Sequence, residues 1–180
     1  ITKNGANYSP AANSRLVSDM LGDFVSVKDF GATGDGSTND TTAINNAISA
    51  ISATGGTVYF PAGIYQVTST ITIPSGVSFL GAGSNASYIR GSMPASDIVQ
   101  IGNGSRSGPA GCTIDSMGFG SSVNNSAAAI RVRNGHRITL KNFYIAVYGV
   151  TLGVGVQLDG DVTATTGLGS NQYDYLLDGF

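Results

Sequence analysis

The sequence predicts an all-β chain with short N-terminal helices, its strands stacked as a solenoid and one end closed by an amphipathic helix. Three observations carry that prediction. Past Gly55-Gly56 the chain becomes a succession of short apolar runs separated by Gly, Ser and Asn. The acids are all Asp, with no Glu, and 26 of 180 residues are Gly, a composition of turns and caps rather than helix interiors. A weak internal repeat aligns Thr113-Ile-Asp-Ser-Met-Gly-Phe119 with Thr139-Leu-Lys-Asn-Phe-Tyr-Ile145, an offset of 26 residues. That period suits one coil of a parallel β-helix, whose inward side chains pack on the coils above and below; a β-sandwich is the alternative.

The elements follow in chain order. Ser9-Pro10 is a helix start, and Ala12, Leu16 and Met20 fall on one stripe that stops at Gly22. A helix of that length is marginal alone and must pack its stripe on something. Next, Val25-Ser-Val-Lys-Asp-Phe30 alternates like a short strand and runs into a Gly-Asp-Gly turn. A clearer helix covers Thr41 to about Ala53, with Ala43, Ile44, Ala47, Ile48 and Ile51 on one face and Asn39, Asp40 or Thr41 as cap. Strands are expected at Thr57–Phe60, Ile64–Val67, Thr70–Ile73, Val77–Leu80, Tyr88–Arg90, Asp97–Ile101, Thr113–Phe119, Ala128–Arg133, Arg137–Ile145, Gly149–Leu152 and Gly155–Leu158. Ile114, Met117, Phe119, Leu140, Phe143 and Ile145 should point inward. Asn134-Gly135 is the one strong hairpin signal. The first residue is Ile1 and the last, Phe180, lies in an apolar run, so both ends are expected to be cuts in a longer chain.

Composition excludes several functions. A net charge of −2 gives no basic footprint for nucleic acid, and no apolar run is long enough to span a membrane. Cys112 stands alone, so it forms no internal disulfide and reads as a small buried hydrophobe. His136 has no second His for a metal, and no cofactor or metal is expected. Asp35-Gly-Ser-Thr-Asn-Asp40 is oxygen-rich but lacks the Gly and Glu of a calcium loop; a turn and helix cap accounts for it. Gly81-Ala-Gly-Ser-Asn-Ala86 matches a dinucleotide fingerprint but opens no helical stripe, so it reads as a coil corner.

The candidate catalytic residues are Asp159 and Asp161, two carboxylates two positions apart, of the kind glycosidases use in pairs; the plain reading is a polar turn. Asp115 and Asp97 have no partner assignable from spacing. Arg131 and Arg133 alternate with Ile130 and Val132, so they should face outward, as a solvated face or as a grip on an anionic sugar or an adjacent chain.

Val27-Lys-Asp-Phe-Gly-Ala-Thr-Gly-Asp-Gly36, followed by Asn39-Asp-Thr-Thr-Ala-Ile44, resembles the opening of pectate-lyase-like phage tailspikes and tail fibres. The segment Asn13 to Val27 is similar to their neck. Gly55-Gly-Thr-Val-Tyr-Phe-Pro-Ala-Gly-Ile-Tyr65 matches the family's Gly-Gly, strand, Pro-x-Gly-x-Tyr element. The resemblance implies a right-handed parallel β-helix, with 1–24 as neck, 25–56 as first strand and capping helix, and 57–180 as the first coils. It also implies a homotrimer in an extracellular virion tail, joined to other tail or baseplate proteins by a more N-terminal region, that attaches to a bacterial surface polysaccharide. The resemblance leaves open whether the full-length protein is a depolymerase; this stretch alone is expected not to degrade polysaccharide, because cleavage residues in such spikes sit on later coils or between chains. The alternatives are a secreted polysaccharide lyase or glycoside hydrolase of the same superfamily, which shares this opening, and a plain β-solenoid adhesin.

Overall fold

The structure, a computed structural model, describes residues 22–102, 111–135, 137–146 and 149–159, and the backbone of 175–178. The expected helix Ser9–Leu21 lies outside the described residues, as do His136 and Asp161.

The first elements are β1 (Phe24–Ser26), a 3-10 turn over Val27–Phe30, β2 (Asp35–Asn39) and helix α1 (Thr41–Ile51). Strands follow: β3 (Gly56–Phe60), β4 (Gly63–Val67), β5 (Ile71–Ile73), β6 (Val77–Gly81), β7 (Ser87–Gly91) and β8 (Val99–Ile101). After these come β9 (Thr113–Asp115), β10 (Gly118–Ser121), β11 (Asn125–Arg133), β12 (Ile138–Lys141), β13 (Tyr144–Ile145), β14 (Leu152–Asp159) and β15 (Tyr175–Asp178).

Among the described residues every ladder is parallel. Sheet A runs β1-β3-β6-β9-β12-β15, sheet B runs β2-β4-β7-β10-β13, and sheet C runs β5-β8-β11-β14. The chain visits A, B and C in turn, so β3-β4-β5, β6-β7-β8, β9-β10-β11 and β12-β13-β14 are successive coils of a parallel β-helix.

Side-chain alternation builds the core. Val58, Phe79, Ile114 and Leu140 stack in register inside sheet A. Tyr65, Ile89 and Phe119 do so inside sheet B, and Ile71, Val99 and Ile130 inside sheet C. All of these are buried, each contributing about 1.5–3 kcal/mol by leaving water. The six expected inward residues all join the core; Ile114, Met117, Phe119 and Leu140 are buried, and Phe143 and Ile145 pack against it half-buried.

The first coil begins differently. β1 and β2 head sheets A and B, and α1 then takes the place in the circuit that a sheet C strand occupies later. Its apolar face is buried, with Ile44, Ile48 and Ile51 lying over the 3-10 turn, β3 and β5. The helix thus covers apolar surface at the end of the stack where an open strand edge would invite pairing. Asn39 caps it: its Oδ1 accepts from the Thr41 N–H at 3.1 Å and from Thr41 Oγ1 at 2.6 Å. Asp40, at the formal cap position, instead turns its buried carboxylate back to the N–H groups of Thr33 (2.6 Å) and Gly34 (3.0 Å).

Several strand expectations change. The Val25–Phe30 run is strand only to Ser26 and a 3-10 turn from Val27. Thr113–Phe119 is two strands in two sheets, and so is Arg137–Ile145. The corner residue in each is the Ser/Asn position of the repeat: Ser116 has φ 57° and Asn142 φ 48°. A left-handed residue between two apolar pairs turns the chain from sheet A to sheet B while keeping both pairs inward. Gly149–Leu152 and Gly155–Leu158 do not form two strands; Leu152 to Asp159 is one. Asn134-Gly135 makes no hairpin, because Asn134 (φ 52°) leads from sheet C into sheet A of the next coil.

Candidate functional site

The outer face of sheet C gathers the most charge. Ile130 and Val132 are fully buried, so Arg131 and Arg133 project outward as their alternation predicts. Register aligns Thr72, Gln100, Arg131 and Gln157 in one row across four coils, with Asp159 opposite Arg133.

Arg131 is not a solvated surface arginine. Its Nε lies 2.6 Å from Asp97 Oδ2 and its Nη1 donates to Asp159 Oδ2 at 2.8 Å. Its side chain is 18% exposed and that of Asp97 only 8%. Burial alone would lower the guanidinium pKa, but the two carboxylates outweigh it and hold it above its ordinary value. Arg133 stays more open, 4.0 Å from Asp97 and 3.9 Å from Asp159. Asp97 Oδ1 accepts from the Ala128 N–H at 3.0 Å, and Gln157 Nε2 donates to Asp159 Oδ1 at 2.9 Å.

Asp159 therefore ends a strand rather than sitting in a polar turn, and its carboxylate is engaged by Arg131 and Gln157. The face presents two amides, two guanidiniums and a half-exposed carboxylate at strand spacing. That set suits hydrogen bonding to hydroxyl-rich or anionic ligands.

The other candidates are placed elsewhere. Asp115 faces outward on sheet A, 3.2 Å from Lys141 Nζ, and accepts from Asn142 Nδ2 at 3.0 Å and Ser116 Oγ at 2.9 Å. Burial pushes its carboxyl up, but these hydrogen bonds prevail and set it below the usual range. Lys141 stands opposite Asp115 in the register of β9 and β12, so the structure supplies the partner that spacing did not assign. The same holds for Asp97 and Arg131, whose coils differ in length.

The Asp35 carboxylate accepts from the N–H groups of Ser37 (2.8 Å) and Thr38 (2.7 Å) and from Thr38 Oγ1, which hold it well below the carboxylate range. The segment expected as a turn is strand β2, irregular between Asp35 and Asn39 where these hydrogen bonds close, and among the described residues no cluster of three metal-ligating side chains occurs. Gly81–Ala86 is a corner between β6 and β7. Cys112 is buried, with its thiol pushed up by burial and directed at the Pro74 carbonyl.

This register and face can now be set beside known proteins. Residues 24–115 match the family model of rhamnogalacturonase A/epimerase, pectate lyase-like proteins. The chain belongs to the pectate lyase-like family. Over 72 residues, 36% of the chain and 4% of the relative, it is 49% identical to mannuronan C5-epimerase AlgE3 of Azotobacter vinelandii. Over 91% of its own length it is 30% identical to the pre-neck appendage protein of Bacillus phage B103, spanning 19% of that protein. Among solved structures it superposes on ORF18 of Geobacillus virus E2 with a TM-score of 0.63 and 30% identity, over 74% of this chain and 28% of that one. The chain spans under a fifth of the length of these two curated relatives.

Proposed function

We propose that this chain is part of a virion tailspike or tail fibre, and that its β-helix binds a bacterial surface polysaccharide along the outer face of sheet C. The observation that carries the reading is the row Thr72, Gln100, Arg131 and Gln157, in register across four coils and flanked by Arg133 and Asp159. Rigid strands about 4.8 Å apart hold these groups like rungs, so that a chain molecule lying across the coils meets one polar group per coil. Similarity to the pre-neck appendage protein of phage B103 supports the tail assignment. We assign 1–24 to a neck, 25–56 to the first strand and capping helix, and 57–180 to the first coils. A homotrimer, joined to tail or baseplate proteins through more N-terminal sequence, is part of the same proposal.

Attachment is the activity proposed for this stretch, and cleavage, where the full-length protein has it, is assigned to residues beyond it. The test uses the intact protein and the surface polysaccharide of its host bacterium. Saturable binding that weakens about tenfold in an Arg133→Ala, Gln100→Ala double variant of unchanged melting temperature supports the reading. Binding indifferent to both changes refutes it.

A second reading, an enzyme whose active residues fall in this stretch, is favoured by the 49% identity to a mannuronan epimerase. It predicts that Asp159→Asn and Asp161→Asn abolish polysaccharide turnover in a folded protein. Our reading predicts that any turnover survives both.

A further inference from the structure

The outer face of sheet B carries a second recess, away from the sheet C row. Register places Ile64, Tyr88, Gly118 and Tyr144 in line across four coils, with Gln66, Arg90 and Gly120 alongside. Gly118 and Gly120 have no Cβ; a side chain at Gly118 would run into the Tyr88 ring and the Ser84 carbonyl, and one at Gly120 into the Tyr88 hydroxyl and the Ala146 carbonyl. The glycines therefore let Tyr88 lie along the sheet, with its hydroxyl donating to the Ala146 carbonyl. Tyr144 stands 43% exposed two coils on, beyond Gly118, and Ile64 41% exposed on the coil before Tyr88. Asn85 and Ser122 complete the rim of a cleft of about 420 Å³. Ligand clefts run from about 300 to 1,000 Å³.

Arg90 is what makes the recess selective. Its Nη2 donates to the Gly36 carbonyl and to Gln66 Oε1 at 3.1 Å, both neutral acceptors. Among the described residues no carboxylate lies within ion-pair distance of it, in contrast to Arg131. The acid nearest in the ladder, Asp35 opposite Ile64, is turned into its own Ser37-Thr38 loop. A part-buried guanidinium fixed by neutral partners keeps an unneutralised charge beside a flat aromatic surface.

We propose that this cleft is a subsite for one acidic pyranose, its carboxylate on Arg90 and its C–H face on Tyr88 and Tyr144. The negative face of a tyrosine ring attracts the polarised C–H groups of a sugar, and its edges leave the hydroxyls free for Asn85 and Ser122. A guanidinium matches a carboxylate in a planar, two-point contact. A protein partner is a poorer match: a stable interface buries about 800 Å² on each side, and the exposed apolar groups here are Ile64 and Tyr144. The proposal rests on the polysaccharide-binding reading above and adds a site and a sugar class to it.

The test titrates the intact protein with hexamers of galacturonate, glucuronate and mannuronate, and with neutral cellohexaose, by calorimetry. At least one uronate hexamer should bind, about tenfold more weakly to Tyr144→Ala and more weakly still to Arg90→Gln, while cellohexaose binds at least tenfold less tightly. Tyr144→Ala decides the matter if Arg90→Gln melts early, since Tyr144 lies at the exposed edge. Uronate binding unchanged in Tyr144→Ala, equal binding of cellohexaose, or no hexamer binding at all overturns the subsite. If hexamer binding falls in Arg133→Ala and not in Tyr144→Ala, the sheet C reading stands and this one fails. If the hexamers bind at Tyr144 but the host polysaccharide does not bind, the proposed function fails and the subsite stands.

Discussion

At the residue scale the two arginines of β11 differ in what they hold. Arg131 neutralises a buried Asp97, so Arg131→Ala leaves that carboxylate with only the Arg133 guanidinium 4.0 Å away and should cost up to about 3–5 kcal/mol. Arg133 makes only long contacts from an exposed position, and Arg133→Ala should cost under about 1 kcal/mol. Denaturant titration of both variants checks the contrast. Asp115 yields a pH prediction. Its folded carboxyl titrates below the unfolded value of about 3.9, so its stabilisation is present above that value and is lost as pH falls through the lower folded value. Asp115→Asn should therefore melt lower than wild type at neutral pH, and the gap should close on acidification below about pH 4. A gap that stays constant to pH 2 would show that Asp115 acts through something other than its charge. Neither the Asp115–Lys141 pair nor the Asp97–Arg131 pair was assigned from the sequence. The first appears once the coils are known to pair in register, and the second joins a loop before β8 to a strand of a coil with a different length.

At the element scale the helix was readable to within two residues of its end, because its apolar spacing and cap residues agree with each other. What the sequence hid was the division of labour at the cap: Asn39 binds the first turn while Asp40 closes the preceding loop, and either assignment satisfies the same spacing. The corners hid for a related reason. Thr113–Phe119 is short enough to pass for one strand, and its division shows only in the three-residue step between the inward Ile114 and Met117, where the left-handed Ser116 sits. Truncating Ile44, fully buried on the inner face of α1, to Ala should cost about 2–5 kcal/mol, against within about 0.5 kcal/mol for the outward Ser49→Ala. Thermal melts with light scattering check this. Because α1 closes the end of the stack, the Ile44→Ala protein should also aggregate earlier on heating; loss of stability without aggregation would mean that the helix does not guard that end.

At the scale of the whole molecule, parallel coils with inward apolar stacks make a rigid rod whose outer faces are free to vary, and this chain puts different chemistry on each. Sheet C carries the amide and arginine row, and sheet B the tyrosine recess. The rod was legible from turn composition and one repeat, while the recess was not, because Tyr88, Gly118 and Tyr144 meet only once the register of three coils is known. A trimer of the intact protein should sediment at three times the chain mass, and a monomer would remove that part of the proposal. The claim on which the account most depends is saccharide attachment. Immobilised surface polysaccharide from the host bacterium should retain the intact protein saturably, and soluble polysaccharide should release it and block adsorption of the virus. A folded intact protein that ignores every polysaccharide fraction of that surface would contradict the account.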